Sequence, residues 1–277
     1  MPRNEKIFLS AEWRDLLMLN YEVDPGILQK YVPAGTVLDS FDGKTYVSLV
    51  GFRFCRTKLF GTIPIPFHTE FEEINLRFYV RCSEAGKTRR GVVFIAEIVP
   101  KRAIALAARW FYGENYVRRP TAHRVLINES KMEVEYFWRS ANQSCKLQAR
   151  ANGTPSPPSE GSLEQFITEH YWGYSRQPDG GTVEYHVTHV PWKVWTAAQA
   201  EFSGNASDLY DEQLSELLTK TPASAFIADG SPVQVFRGRK LPTAPPNLVI
   251  LRLCDEHSRR ISTSKPCKQH KLRSFRA

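Results

Sequence analysis

Residues 70–81 read Glu-Phe-Glu-Glu-Ile-Asn-Leu-Arg-Phe-Tyr-Val-Arg, and few chain conformations suit that order. Side chains alternate across a strand. Ile74, Leu76, Phe78 and Val80 therefore share one face, and Glu73, Asn75, Arg77 and Tyr79 the other. A turn around Glu84-Ala85-Gly86-Lys87 leads into a second strand, Gly91 to Val99, so the two form a hairpin. That strand ends in Pro100. Two adjacent cations follow, Lys101 and Arg102, and then Ala103 to Tyr112, an Ala- and Leu-rich stretch that reads as a buried helix.

The placement of Lys101 has a chemical consequence. A lysine between two buried elements is poorly solvated, and a neighbouring cation disfavours its ammonium form further. Such an amine can attack a ketone and form a Schiff base. The plainer account is a lysine at a strand-to-helix corner, its stem on apolar surface and its head in water.

The rest of the chain is strand-rich. Asp24-Pro25 starts a short helix to about Tyr31. Tyr46 to Phe54 is β-branched and aromatic, and Thr62 to Phe67 reads as a loop. Thr121 to Asn128, Lys131 to Arg139 and Ser144 to Ala151 fit an antiparallel meander. After a Pro/Ser/Gly-rich loop, Ser162 caps a helix with Gln165 as its capping-box partner. Thr182 to His189 alternates as a strand, and Asp208 to Leu218 is amphipathic. Ala225 to Ile227 and Val233 to Arg237 read as two short strands around Gly230-Ser231-Pro232.

Charge is unevenly distributed along the 277 residues. Residues 241–277 hold eight Lys/Arg and two acids, a net +6, which leaves 29 bases and 27 acids, or +2, for residues 1–240. A basic footprint for phosphate backbones is thus absent from the body of the chain. A hydrophobic fraction of 42% is enough for a sizeable core and excludes disorder of the whole chain. The five cysteines form no C-x-x-C pair, so neither a disulfide framework nor a zinc site is expected, and Cys55, Cys82 and Cys145 are expected as reduced thiols in or near strands. The first 18 residues lack the apolar core of a signal peptide, and no apolar run reaches the ~18 residues of a membrane span. A cytoplasmic protein is the expectation.

Several motifs together resemble the YqjF-like family of uncharacterised bacterial proteins. They are Trp13 with Leu16-Leu17, Asn20-Tyr21 before Asp24-Pro25, and Tyr46-Val47-Ser48-Leu49-Val50-Gly51-Phe52. Glu73 to Val80, Gly91-Val92-Val93-Phe94, Ser162 to Phe166, Ala228 to Val233 and the finish at Phe236 to Arg239 complete the set, over roughly residues 10–240. The resemblance implies the fold of acetoacetate decarboxylase: α+β, a mostly antiparallel β-barrel with a central cavity and peripheral helices. It also implies a mechanism, since the decarboxylase has a Pro-Lys-Lys motif whose first lysine forms the Schiff base while the second lowers its pKa. Pro100-Lys101-Arg102 is similar to that motif, with Arg in place of the second Lys.

In such a barrel the polar row would line the interior. Arg77 would pair a carboxylate, Glu73 would handle a proton, and Asn75 and Tyr79 would complete the binding surface. Glu97, on the neighbouring strand, could join them. The alternative is that this face is the solvated side of an antiparallel sheet. His68, His123, His170, His186 and His189 are scattered and read as surface or hydrogen-bonded histidines. Trp172, Trp192 and Trp195, with Tyr171 and Tyr174, read as core or interface packing, a pocket rim being the other reading.

The expectation is therefore a barrel in residues 1–240 with a basic, disordered tail. It would bind a small oxoacid or carbonyl metabolite, without cofactor or metal, with no nucleic acid as partner of the folded domain and no membrane, and self-association into a homo-oligomer stays open. The alternative is a Schiff-base lyase with Lys101, Arg102 and Glu73 as catalytic groups. A weaker alternative is nucleic-acid or membrane association through the tail. Deleting residues 241–277 is expected to abolish any retention on DNA or anionic liposomes. Retention by the shortened chain would contradict this charge distribution.

Overall fold

The computed structural model describes residues 5–65, 69–84, 86–100, 115–128, 131–140 and 143–242. Lys101, Arg102, the helix expected at Ala103 to Tyr112, His68 and the tail from residue 243 onward lie outside the described residues.

The first strand, β1 (Ile7–Val23), pairs on one side with β3 (Thr45–Leu59) and on the other with β14 (Ser224–Phe236), both antiparallel. The expected hairpin is present as β5 (Phe71–Glu84) and β6 (Lys87–Val99), β5 also pairs with β3, and two-residue strands β2 (Val37–Leu38) and β4 (Ile63–Pro64) pair with β5 and β3 respectively. β11 (Trp172–Arg176) lies beside β6 and is paired with β12 (Thr182–Thr188). The order β12-β11-β6-β5-β3-β1-β14 then closes on itself, because Val187 and Thr188 of β12 pair with Val235 and Gln234 of β14. The result is a ring of hydrogen-bonded strands.

Two features correct the sequence-based expectation. The sheet is mixed, because β11 and the short β7 (Tyr116–Arg118) both run parallel to β6. The long stretch of chain between β6 and β11 permits the parallel approach, which a tight turn could not. The two short strands expected around Gly230-Ser231-Pro232 are one continuous strand, β14. Gly230 makes this possible. It adopts φ +78°, and a Cβ there would lie 2.0 Å from the carbonyl oxygen of Trp13.

β1 itself escaped the sequence reading because Glu12, Arg14 and Asp15 interrupt its apolar pattern. Each is neutralised on the folded surface. Glu12 meets Arg14 at 2.8 Å and Arg56 at 2.7 Å, and Asp15 meets Arg53 at 2.5 Å. The register with β3 shifts between Arg14 and Leu17, and Asp15 takes φ 54° there.

An arm continues the sheet past β14: β13 (Val194–Ser203), then the expected meander of β10 (Gln143–Asn152), β9 (Lys131–Ser140) and β8 (Thr121–Asn128). The arm folds over the outside of the ring. The apolar face of β5 (Ile74, Leu76, Phe78, Val80) packs in one core with Val134, Tyr136 and Trp138 of β9, Leu147 of β10, and Leu214 of the helix Glu212–Leu217. Its cover is thus mainly a second layer of sheet. Tyr136 sits where a Cβ on Gly51 would come within 2.6 Å of its ring, and its hydroxyl donates to the Asp15 carbonyl at 2.9 Å.

The short helices begin as their sequences dictate. Asp24 accepts from the Gly26 amide at 2.7 Å, Asp211 from Leu214 at 2.9 Å, and Ser162 from Gln165 at 3.2 Å. The Gln165 side chain accepts from the Gly161 amide, one residue earlier than a capping box requires. No described helix is long and apolar enough to cross a membrane.

Gly230→Ala is expected to destabilise the fold by at least about 2 kcal/mol, since it adds backbone strain to a clash with the β1 backbone. Denaturant unfolding reads this as a lower midpoint. An unchanged midpoint would contradict the close approach of β14 to β1.

Candidate functional site

Alternation along β5 turns one face outward to the arm and the other into the ring, where the structure holds a cavity of about 270 Å³. Glu73, Asn75 and Arg77 line it, at 3%, 1% and 8% exposure. Glu97 of β6, the register partner of Asn75, joins them at 1% exposure, and so does Tyr116 of β7. Asn75 donates to Glu73 Oε1 at 3.1 Å, and the Tyr116 hydroxyl approaches Glu73 Oε2 at 3.4 Å.

Arg77 is the unusual member. Its Nη2 makes only long contacts, 3.5 Å to the Ile167 carbonyl oxygen and 3.8 Å to the Met18 sulfur. Its Nε is buried with no partner, and among the described residues it forms no ion pair. The other buried or half-buried arginines of the ring differ. Arg53 meets Asp15 at 2.5 Å, Arg89 meets Glu184 at 2.7 Å, and Arg239 meets Glu84 at 2.6 Å. A buried cation is costly unless it is paired. The carboxylates of Glu73 and Glu97 line the same cavity, yet neither forms an ion pair with Arg77.

Tyr79 continues the row but lies outside the cavity lining. Four residues of strand from Asn75 carry it ~13 Å along, to where the helix Leu163–Thr168 covers the sheet. Its hydroxyl shares a 2.6 Å hydrogen bond with Ser48, and its ring packs against Phe166 and His170, with centroids at 5.3 and 4.7 Å.

His170 corrects the reading of the histidines. It lines the cavity, and both of its ring nitrogens are buried without a hydrogen-bond partner. Burial, reinforced by the positive charges of Arg90 and Arg77, holds its pKa well below the ordinary histidine value, so the ring is neutral at pH 7. His189 also lines the cavity, stacked on Trp192 at 4.2 Å, and burial lowers its pKa as well. His123 and His186 instead pair with Glu72 and Glu5 at 2.6 and 2.7 Å. Among the aromatic residues singled out from sequence, Trp172 and Trp192 line the cavity, whereas Tyr174 is core. No signal in the sequence separated these roles. β11 is five residues long and contains Gly173 and Ser175, too little alternation to mark it as a strand with an inner face.

The described chain stops at Pro100 and resumes at Asn115 beside the same strand end. The Glu97 amide donates to the Asn115 carbonyl at 3.0 Å, and the Arg119 amide to the Val99 carbonyl at 3.1 Å. Lys101 and Arg102 follow β6 directly in sequence, but their positions lie outside the described residues. Among the described residues, no group of three or more His, Cys, Asp or Glu could hold a metal ion.

A histidine whose folded pKa is depressed takes up a proton more readily when the chain unfolds. Stability is therefore complete above about pH 6.5 and falls as the pH drops below it, by at most about 1.4 kcal/mol per pH unit for each such group. His170→Phe, which places a ring between Tyr79 and Phe166, is expected to flatten the loss of stability between pH 6.5 and 5. Parallel pH profiles for the two proteins would contradict a neutral, buried His170.

Comparison with known proteins gives the same architecture. The chain is 26% identical to the uncharacterized protein YqjF of Bacillus subtilis (strain 168) over 199 residues, which is 70% of this chain and 77% of that protein. It superposes on acetoacetate decarboxylase from Legionella pneumophila with a TM-score of 0.59 at 14% identity, covering 85% of this chain and 87% of that one. An acetoacetate decarboxylase-like enzyme from Sphingomonas wittichii RW1 gives 0.57 at 15% identity, over 86% and 94%. The enduracididine biosynthesis enzyme MppR, in a complex with pyruvate, gives 0.57 at 12% identity, over 85% and 91%. These structural likenesses establish an acetoacetate decarboxylase-like fold. The family model for DUF2071, an uncharacterized conserved protein, matches residues 10–232, and the chain belongs to that family.

Proposed function

We propose that this protein binds a small carboxylate-bearing metabolite, an oxoacid or related carbonyl compound, inside the strand ring, which we take as a closed barrel. The observation that carries the reading is Arg77, a buried guanidinium on the cavity wall with no ion pair among the described residues. A ligand carboxylate would supply the missing counter-charge through charge-assisted hydrogen bonds. Glu73, bonded to Asn75, stands on the same strand face two and four residues away and is the group to exchange a proton with the ligand. The MppR complex with pyruvate supports the choice of class, because a protein of this fold accepts an oxoacid.

The second reading is a Schiff-base lyase. It is favoured by the order Pro100-Lys101-Arg102 immediately after β6, the strand that brings Glu97 to the cavity. The Lys101 amine would add to the ligand ketone and expel water to give an iminium. For a β-oxoacid such as acetoacetate, loss of carbon dioxide would then send the C–C bonding pair into that iminium to give an enamine. Protonation at carbon and hydrolysis would free the product and restore the amine. Arg102 would favour the neutral amine.

Titration calorimetry with pyruvate and acetoacetate tests the first reading. Arg77→Met is expected to weaken binding by ~10–100-fold, the cost of a lost hydrogen bond to a charged group. Unchanged affinity would contradict it. Borohydride added to the same mixtures tests the second. A mass adduct absent from Lys101→Ala is expected, and no adduct across a panel of ketoacids would exclude the Schiff base.

A further inference from the structure

Pyruvate is small for this cavity. At about 270 Å³ the cavity approaches the ~300–1,000 Å³ of pockets that hold drug-sized ligands, far larger molecules than a three-carbon acid. The charged groups, Glu73, Arg77 and Glu97, occupy one stretch of β5 and β6, while much of the remaining wall is aromatic. Trp13 of β1 meets Phe52 and Phe54 of β3 edge-on at 5.4 and 5.8 Å, and Trp192 at 6.2 Å. Phe54 in turn stacks on Phe71 at 4.5 Å. All five rings line the cavity. Such a sleeve gains nothing from a three-carbon acid held at Arg77, and leaving it empty forfeits contacts on every side.

Aromatic walls favour a flat ring, which can meet them stacked or edge-on. The sleeve also contains unused polar capacity. The Trp13 indole nitrogen is buried with no acceptor, and the Thr57 hydroxyl is buried with no partner. Both residues line the cavity. We propose that the ligand is an aryl-substituted carboxylic acid, its carboxylate against Arg77 and its ring turned toward the near end of the sleeve at Phe52 and Trp13. This inference rests on the carboxylate reading above and extends it from an anion to a class of ligand.

Calorimetry with phenylpyruvate and pyruvate, on the full chain, decides it. Phenylpyruvate is expected to bind at least tenfold more tightly. Equal or tighter binding of pyruvate, each still dependent on Arg77, would overturn the inference and leave the carboxylate reading intact. Binding of neither acid would remove the carboxylate reading and this inference with it.

Discussion

The pairing of β12 with β14 is the contact on which the interior depends. It has two register pairs, Val187 with Val235 and Thr188 with Gln234. Without it the strands would form an open sheet, and the inner face of β5 would meet water. The junction is reinforced by one buried carboxylate. The Glu184 side chain of β12, fully buried, accepts from Arg89 of β6 at 2.7 Å, from Arg239 at 2.9 Å and from the Tyr174 hydroxyl of β11 at 3.1 Å. Arg89 and Arg239 also reach Glu84 at the end of β5, at 2.9 and 2.6 Å. Removing one member of such a network leaves a buried charge uncompensated, and the shared charges tie β12 to β6 and to the end of β5.

Closure changes the meaning of the polar row. On an open sheet Glu73, Asn75 and Arg77 would be ordinary solvated side chains. Inside the ring they are almost wholly buried, in a space whose other walls are largely apolar. The contrast among arginines follows from this. Arg89 and Arg239 meet their carboxylates where strands join, and Arg53 meets Asp15 at the bulge of β1. Arg77 faces the cavity, where a ligand can reach it. A buried guanidinium without an ion pair costs stability, and under the proposed function a bound anion would offset that cost.

Legibility followed locality. β5, the hairpin, the meander and the helix caps were readable because alternation, turn residues and cap spacing all lie within about a dozen residues of one another. The polar row was readable as a row, and its inward direction came from the family resemblance. β1 was not readable, since its charges are balanced by Arg53 and Arg56, some forty residues away in sequence. The parallel step from β6 to β11 and the closing of β12 on β14 are long-range pairings that no local pattern encodes. His170 and the aromatic sleeve emerge only when β1, β3 and β5 converge with the segments that carry His170 and Trp192. From sequence a tryptophan on a cavity wall and one in a core carry the same signal.

A crystal structure grown with phenylpyruvate would test the central claim most directly. The account predicts a carboxylate within hydrogen-bonding distance of the Arg77 guanidinium, with the ligand ring turned toward Phe52 and Trp13. A cavity holding only water, with Arg77 turned onto a protein carboxylate, would contradict it.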